Sequence, residues 1–188
     1  MAEVVALILS EDHMLKKIAI GVALLLVVIL GLATTKPETF TVERSTLIKA
    51  PPEKIYPLIN DFHSWGAWSP WEKLDPAMKR TYGGPTSGQG ATYSWDGNSD
   101  AGAGRMEITE TTAPTNLALK LDFTKPMEAN NRLEFSMVPE GDATRVRWVM
   151  TGPNNFLSKV MTVFVSMDGL IGKDFETGLA NMKAVAEK

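Results

Sequence analysis

An α+β fold, one antiparallel sheet covered by a long C-terminal helix, is what this 188-residue sequence predicts. Three observations carry the expectation. From Met78 onward, apolar residues alternate with polar ones at period two, punctuated by clusters of turn residues. After Gly152-Pro153 the apolar period lengthens to three and four, that of a helix. Ahead of both lies an uncharged run, Ile18 to Ala33, directly preceded by Lys16 and Lys17.

With Thr34 and Thr35 that run reaches roughly 27 Å as a helix, close to the roughly 30 Å of a bilayer's hydrocarbon core. Positive charge is retained on the cytoplasmic side, so the chain beyond Thr35 is expected outside the cytoplasm, in a periplasm where one exists. A cleaved signal shares the same order of basic start, apolar centre and small residues (Gly31, Leu32, Ala33), and would leave an exported soluble protein. The expected divisions are a cytoplasmic tail (1–17), a transmembrane anchor or signal (18–35) and one domain (36–188). Met14-Leu15-Lys16-Lys17 would also make a normal start, so Met1 and Met14 are both candidate initiators.

Within the domain, Phe40, Val42, Thr46 and Ile48 alternate with polar neighbours and predict a first strand. Ala50-Pro51-Pro52 closes it. Proline in the first turn, followed by Ile55, Tyr56, Leu58 and Ile59, predicts a short helix ending at Asn60-Asp61. A second short helical or looped piece carries Trp65, Trp68 and Trp71. Six further strands follow, separated by Gly83-Gly84-Pro85, Asp96-Gly97-Asn98, Pro114-Thr115-Asn116, Lys125-Pro126 and Glu140-Gly141-Asp142. Such short connections favour consecutive antiparallel pairing. Lys120, Asp122, Arg132, Glu134, Arg145 and Arg147 share the polar face, expected to be solvated. The final helix is expected to carry the stripe Phe164, Met167, Ile171, Phe175, Leu179 and Met182. Asp168-Gly169 and Gly172 predict a kink or loosened turn, and Gly178 a close approach to the sheet.

Composition removes whole classes of function. Setting aside Lys16, Lys17, Glu3, Glu11 and Asp12 leaves 17 basic and 19 acidic residues of the chain's 19 and 22, without a basic cluster for nucleic acid. The absence of cysteine excludes disulfides, thiolate metal sites and a cysteine nucleophile. No Gly-x-Ser-x-Gly elbow, phosphate loop or paired-histidine metal motif is present, so no metal, cofactor or catalytic residue is assigned. His63 beside Asp61 could form an acid–base pair, though such neighbours more often cap a loop.

Several segments together resemble one family. They are Val42-Glu43-Arg44-Ser45 to Ile48-Lys49-Ala50-Pro51, Asp61-Phe62-His63-Ser64-Trp65-Gly66-Ala67-Trp68-Ser69-Pro70-Trp71, Gly90-Ala91-Thr92-Tyr93-Ser94-Trp95, Thr144-Arg145-Val146-Arg147-Trp148 and Gly172 to Lys183. Their order and spacing are similar to those of START-like (SRPBCC) proteins of the polyketide cyclase/dehydrase-like branch, over nearly all of residues 38 to 187. The resemblance implies a helix-grip fold with a hydrophobic pocket between sheet and helix. Relatives bind lipids, sterols, polyketides or plant hormones, and some catalyse cyclisation or dehydration.

The residues expected to line such a pocket are Tyr82, Tyr93, Trp95, Met106, Leu119, Leu121, Phe135, Met137, Trp148 and Met150 from strands, with Phe164, Met167 and Ile171 from the helix. Ordinary core is the competing role for each. Trp65, Trp68 and Trp71 are expected to pack near the pocket mouth. The expected partner is a small hydrophobic molecule bound without chemistry, with the membrane met through residues 18–35. A cyclase- or dehydratase-type enzyme and a protein-interaction module are the alternatives.

Overall fold

The computed structural model describes residues 2–188, with side chains from Met14 onward; Met1, one of the two candidate starts, lies outside the described residues. The chain forms two compact units. One comprises Thr39–Pro153 with Met167–Lys188, the other the residues up to Glu38 with Asn154–Ser166.

The larger unit is built on a seven-stranded antiparallel sheet. Its strands are β1 (Thr39–Ile48), β2 (Lys79–Gly83), β3 (Thr92–Asp96), β4 (Ala103–Thr112), β5 (Asn116–Lys125), β6 (Ala129–Glu140) and β7 (Ala143–Pro153). The spatial order β1-β7-β6-β5-β4-β3-β2 is a meander from β2 to β7, with β1 closing on the last strand. Register places Tyr82 opposite Tyr93, Tyr93 opposite Met106, Met106 opposite Leu121, and Phe135 opposite Trp148. These side chains form one inner face because alternate residues of a strand point the same way. The opposite face carries ion pairs such as Arg147–Glu43, Arg132–Glu134 and Lys120–Asp122, as expected for a solvated surface.

Between β1 and β2 come α2 (Pro52–Asn60) and two 3-10 turns, Phe62–Ala67 and Pro70–Lys73. Asp61 caps the first turn by accepting from the His63 backbone N–H. α4 (Met167–Ala186) covers the inner face with Phe175, Leu179, Met182 and Ala186. It begins three residues after Phe164, so the expected stripe is shorter at its start. Gly172 lies within the continuous helix, where the sequence predicted a kink; the reason for glycine there is the close passage of Arg44.

In the smaller unit, α1 (Ala2–Thr34) contains a 21-residue stretch, Met14–Thr34, long and apolar enough to cross a membrane. It packs with α3 (Phe156–Met161), a short helix capped by Asn155, whose side chain accepts from the Ser158 N–H. Asn154 joins the same unit by donating its backbone N–H to the Glu38 carbonyl and its side-chain amide to that of Pro37.

Candidate ligand-binding site

The interior between sheet and α4 is an aromatic chain. Ring centroids run from Phe62 to Trp65 (5.5 Å), Trp65 to Trp68 (4.8 Å), Trp68 to Trp148 (5.4 Å) and Trp148 to Phe175 (4.1 Å). Trp71 meets Trp148 and Phe175 edge-on, and Phe135 stacks on Trp148 at 4.9 Å. Edge-to-face and offset contacts of this kind each add about 0.5–1.5 kcal/mol beyond burial.

The polar tips of these rings differ. Trp65 donates its indole N–H to the Ile59 carbonyl (2.9 Å), Trp68 to Leu58 (2.7 Å), and Trp95 to Ala101 (3.0 Å). Trp148 is 1% exposed, and its Nε1–H has no acceptor among the described residues. A buried donor without a partner costs about 1–3 kcal/mol relative to a bonded one, so this group is an unmet donor within the aromatic cluster.

One end of the ring chain opens into a small cleft of about 120 Å³ lined by Phe62, His63, Tyr82, Ala91, Thr92 and the turn from Gly83 to Thr86. Phe62 and Ala91 belong to the core and form its inner wall. His63 stacks on Tyr82 at 4.0 Å, and its Nδ1 lies 2.8 Å from Asp61 Oδ1. Behind Tyr82, the Tyr93 hydroxyl donates to Glu72 Oε1 (2.6 Å) while Arg80 Nε donates to Glu72 Oε2 (2.7 Å). Burial, and then the bond to Glu72, push the Tyr93 phenol well above its ordinary 10.0. Tyr82 is also raised, by burial first and then by the Glu72 charge. Both phenols therefore stay neutral near pH 7, as donors or acceptors rather than bases.

Of the residues expected to line a pocket, Tyr93, Met106, Leu119, Leu121, Phe135, Met137, Trp148 and Met150 are buried together on the inner sheet face. Trp95, Met167 and Ile171 are partly buried and pack against that cluster. Tyr82 lines the cleft. Phe164 stands in the smaller unit, 69% exposed, outside α4. Trp65 and Trp68 are buried inside the core, because the first 3-10 turn folds their indoles inward onto carbonyls of α2, and Trp71, in the second turn, lies at its edge. The Glu72–Arg80–Tyr93 cluster and the Gly83-to-Thr86 wall carried no sequence signal beyond a turn motif. Among the described residues, no group of three or more His, Asp or Glu side chains is arranged to hold a metal ion.

A curved antiparallel sheet gripping a C-terminal helix, with a packed aromatic interior and a small cleft against one end of it, defines a helix-grip domain of the START-like (SRPBCC) class. Residues 39–187 match the model of the family described as polyketide cyclase / dehydrase and lipid transport, and the chain belongs to that family. Solved structures give the same fold. Protein CV1439 from Chromobacterium violaceum superposes with a TM-score of 0.56 at 13% identity, over 81% of this chain and 99% of its own. A protein from Rhizobium leguminosarum gives 0.58 at 13% identity, over 80% and 95%. The di-domain ARO/CYC BexL of the BE-7585A biosynthetic pathway gives 0.59 at 15% identity, over 85% of this chain and 53% of its own length. No curated protein matches the chain significantly.

Proposed function

We propose that this chain binds a small hydrophobic or amphipathic, lipid-like molecule without transforming it, and does so as a membrane-anchored protein. The observation that carries the reading is the unpartnered Nε1–H of Trp148 inside an aromatic box. A ligand that brings an oxygen to that donor recovers about 1–3 kcal/mol. It also gains roughly 25 cal/mol for each Å² of apolar surface it loses to water. The cleft at Phe62 and Tyr82 is the entrance this reading requires. Met106, Met137, Met150 and Met182, buried in the same core, are the flexible side chains that would yield to a guest.

The anchor is assigned to residues 18–35, with the family domain outside the cytoplasm, on the order of Lys16-Lys17 before the apolar run. Native mass spectrometry of the full chain released from detergent tests the binding reading. The expected result is a co-purifying small molecule that is lost, or strongly reduced, in Trp148→Phe while the fold persists by circular dichroism. An empty chain whose interior admits no probe would overturn it.

A second reading has one specific observation behind it. In the tautomer that donates Nδ1–H to Asp61, His63 keeps Nε2 as an acceptor beside the cleft, an arrangement suited to general base catalysis of cyclisation or dehydration. Turnover of an aromatic polyketide substrate that disappears in His63→Gln would favour it over simple binding.

A further inference from the structure

The segment between β7 and α4 is arranged inside out. Residues 154–166 include a single charged side chain, Lys159. In water that ammonium would face solvent and the apolar residues would turn inward. Here Lys159 is 7% exposed and bonds the Glu38 carboxylate. Phe156, Leu157, Met161, Phe164 and Val165 face outward instead, each between 49% and 69% exposed. The outward surface thus combines two aromatic rings and three aliphatic chains with no charge among them.

Its position within the smaller unit identifies what covers it. Asn154 is bonded to the Pro37 and Glu38 carbonyls, and Lys159 to the Glu38 side chain. Both partners belong to the polar exit just after α1, whose apolar stretch ends at Thr34. α3 itself packs with α1. The bonds therefore hold the apolar residues of 156–165 a few residues from the end of a membrane-length helix, the level at which a bilayer crossed by α1 would present the boundary between acyl chains and headgroups. Short amphipathic elements lie in that zone with their apolar side chains buried about 5–10 Å.

We infer that residues 156–165 form an interfacial foot whose Phe156, Leu157, Met161, Phe164 and Val165 side chains insert into the outer boundary of the bilayer that α1 crosses. The occupant of this surface is lipid. The inference rests on the membrane-anchor reading of α1 and adds a second, separate contact that the anchor alone does not require.

The absence of native cysteine allows a direct test on the full chain. Leu157→Cys, Phe164→Cys and, on α1, Leu25→Cys are each labelled with an environment-sensitive fluorophore and reconstituted into phosphatidylcholine vesicles. All three positions are exposed, so the substitutions spare the core. Lipids carrying a nitroxide near the top of the acyl chain, the depth such elements occupy, are expected to quench the emission at positions 157 and 164. A nitroxide near the bilayer centre should do the same at position 25. Quenching at 25 with water-like, iodide-accessible emission at 157 and 164 would overturn the foot and leave the anchor intact. Blue-shifted emission at 157 and 164 without lipid quenching would also overturn it, since protein, a second copy or another partner, would then be the cover. Quenching at 157 and 164 but not at 25 would remove the spanning helix and overturn the inference as stated, leaving a lipid contact without an anchor.

Discussion

The guanidinium of Arg44 on β1 lies across Gly172 on α4, where a methyl group added to the glycine would overlap Nη2. Asp168, Gly172 and Glu176 are spaced one turn apart, so they share one helix face. Arg44 bonds Asp168 Oδ1 at 2.6 Å through Nη1 and Glu176 Oε1 at 2.7 Å through Nε. The bare middle turn is what lets one side chain reach both carboxylates. That clasp fixes the start of the helix that closes the aromatic interior.

The clasp and the glycine are therefore coupled. In an Arg44→Gln background, Gly172→Ala should stabilise the protein by about 0.5–1 kcal/mol, the ordinary gain of alanine over glycine in a helix. In the native background the same change should be neutral or destabilising, because it displaces the guanidinium. A double-mutant cycle by urea denaturation reads the difference. The bond to Arg44 holds the half-exposed Asp168 carboxyl below its ordinary 3.8, so the Asp168 arm of the clasp is fully present above that pH and is lost as pH falls through the lowered value.

Gly178 serves the same helix one face around. A methyl group there would meet Trp148 Cζ3 at 2.9 Å and Pro70 Cδ at 3.3 Å, and the stacked indole has no room to retreat. Overpacking costs about 1–3 kcal/mol, against a helix gain of about 0.5–1 kcal/mol. Gly178→Ala should therefore lower stability by up to about 2.5 kcal/mol. Thermal unfolding followed by tryptophan fluorescence checks it, and an unchanged midpoint would mean that the ring yields.

Much of this was legible in the chain. Period-two patterning marks β3 to β7 because each of those strands buries residues of one face, whereas β2 buries none, and Gly178 beside the helical stripe marks a close approach. Phe164 matched the helical period by coincidence; spacing alone could not tell that the helix starts at Met167, after a segment belonging to another unit. Trp65 and Trp68 could be assigned to the mouth or the core only once the carbonyls of Ile59 and Leu58 were known to receive them. The cleft was invisible for a similar reason. His63 and Tyr82 meet across 19 positions through tertiary folding, and Gly83-Gly84-Pro85 signals only a turn.

Tyr93 gives a pH signature. The folded state keeps the phenol protonated well above its ordinary 10.0, so the contribution is fully present below that pH and is lost as pH rises past it. One group gives a slope of at most about 1.4 kcal/mol per pH unit. Tyr93→Phe should cost about 1–3 kcal/mol near neutrality by leaving Glu72 one donor short. It should also flatten the alkaline decline relative to the native chain, as measured by denaturant midpoints across the range.

The central claim is that the Trp148 indole N–H receives a ligand oxygen. The five indole N–H resonances of the ¹⁵N-labelled full chain in micelles report it directly. A panel of a fatty acid, a fatty alcohol, a sterol and an aromatic polyketide provides the acceptors. At least one compound should move the Trp148 resonance downfield and saturably while those of Trp65 and Trp68, already bonded to carbonyls, shift little. A Trp148 resonance unmoved by every compound, or all five drifting together without saturation, would contradict the account.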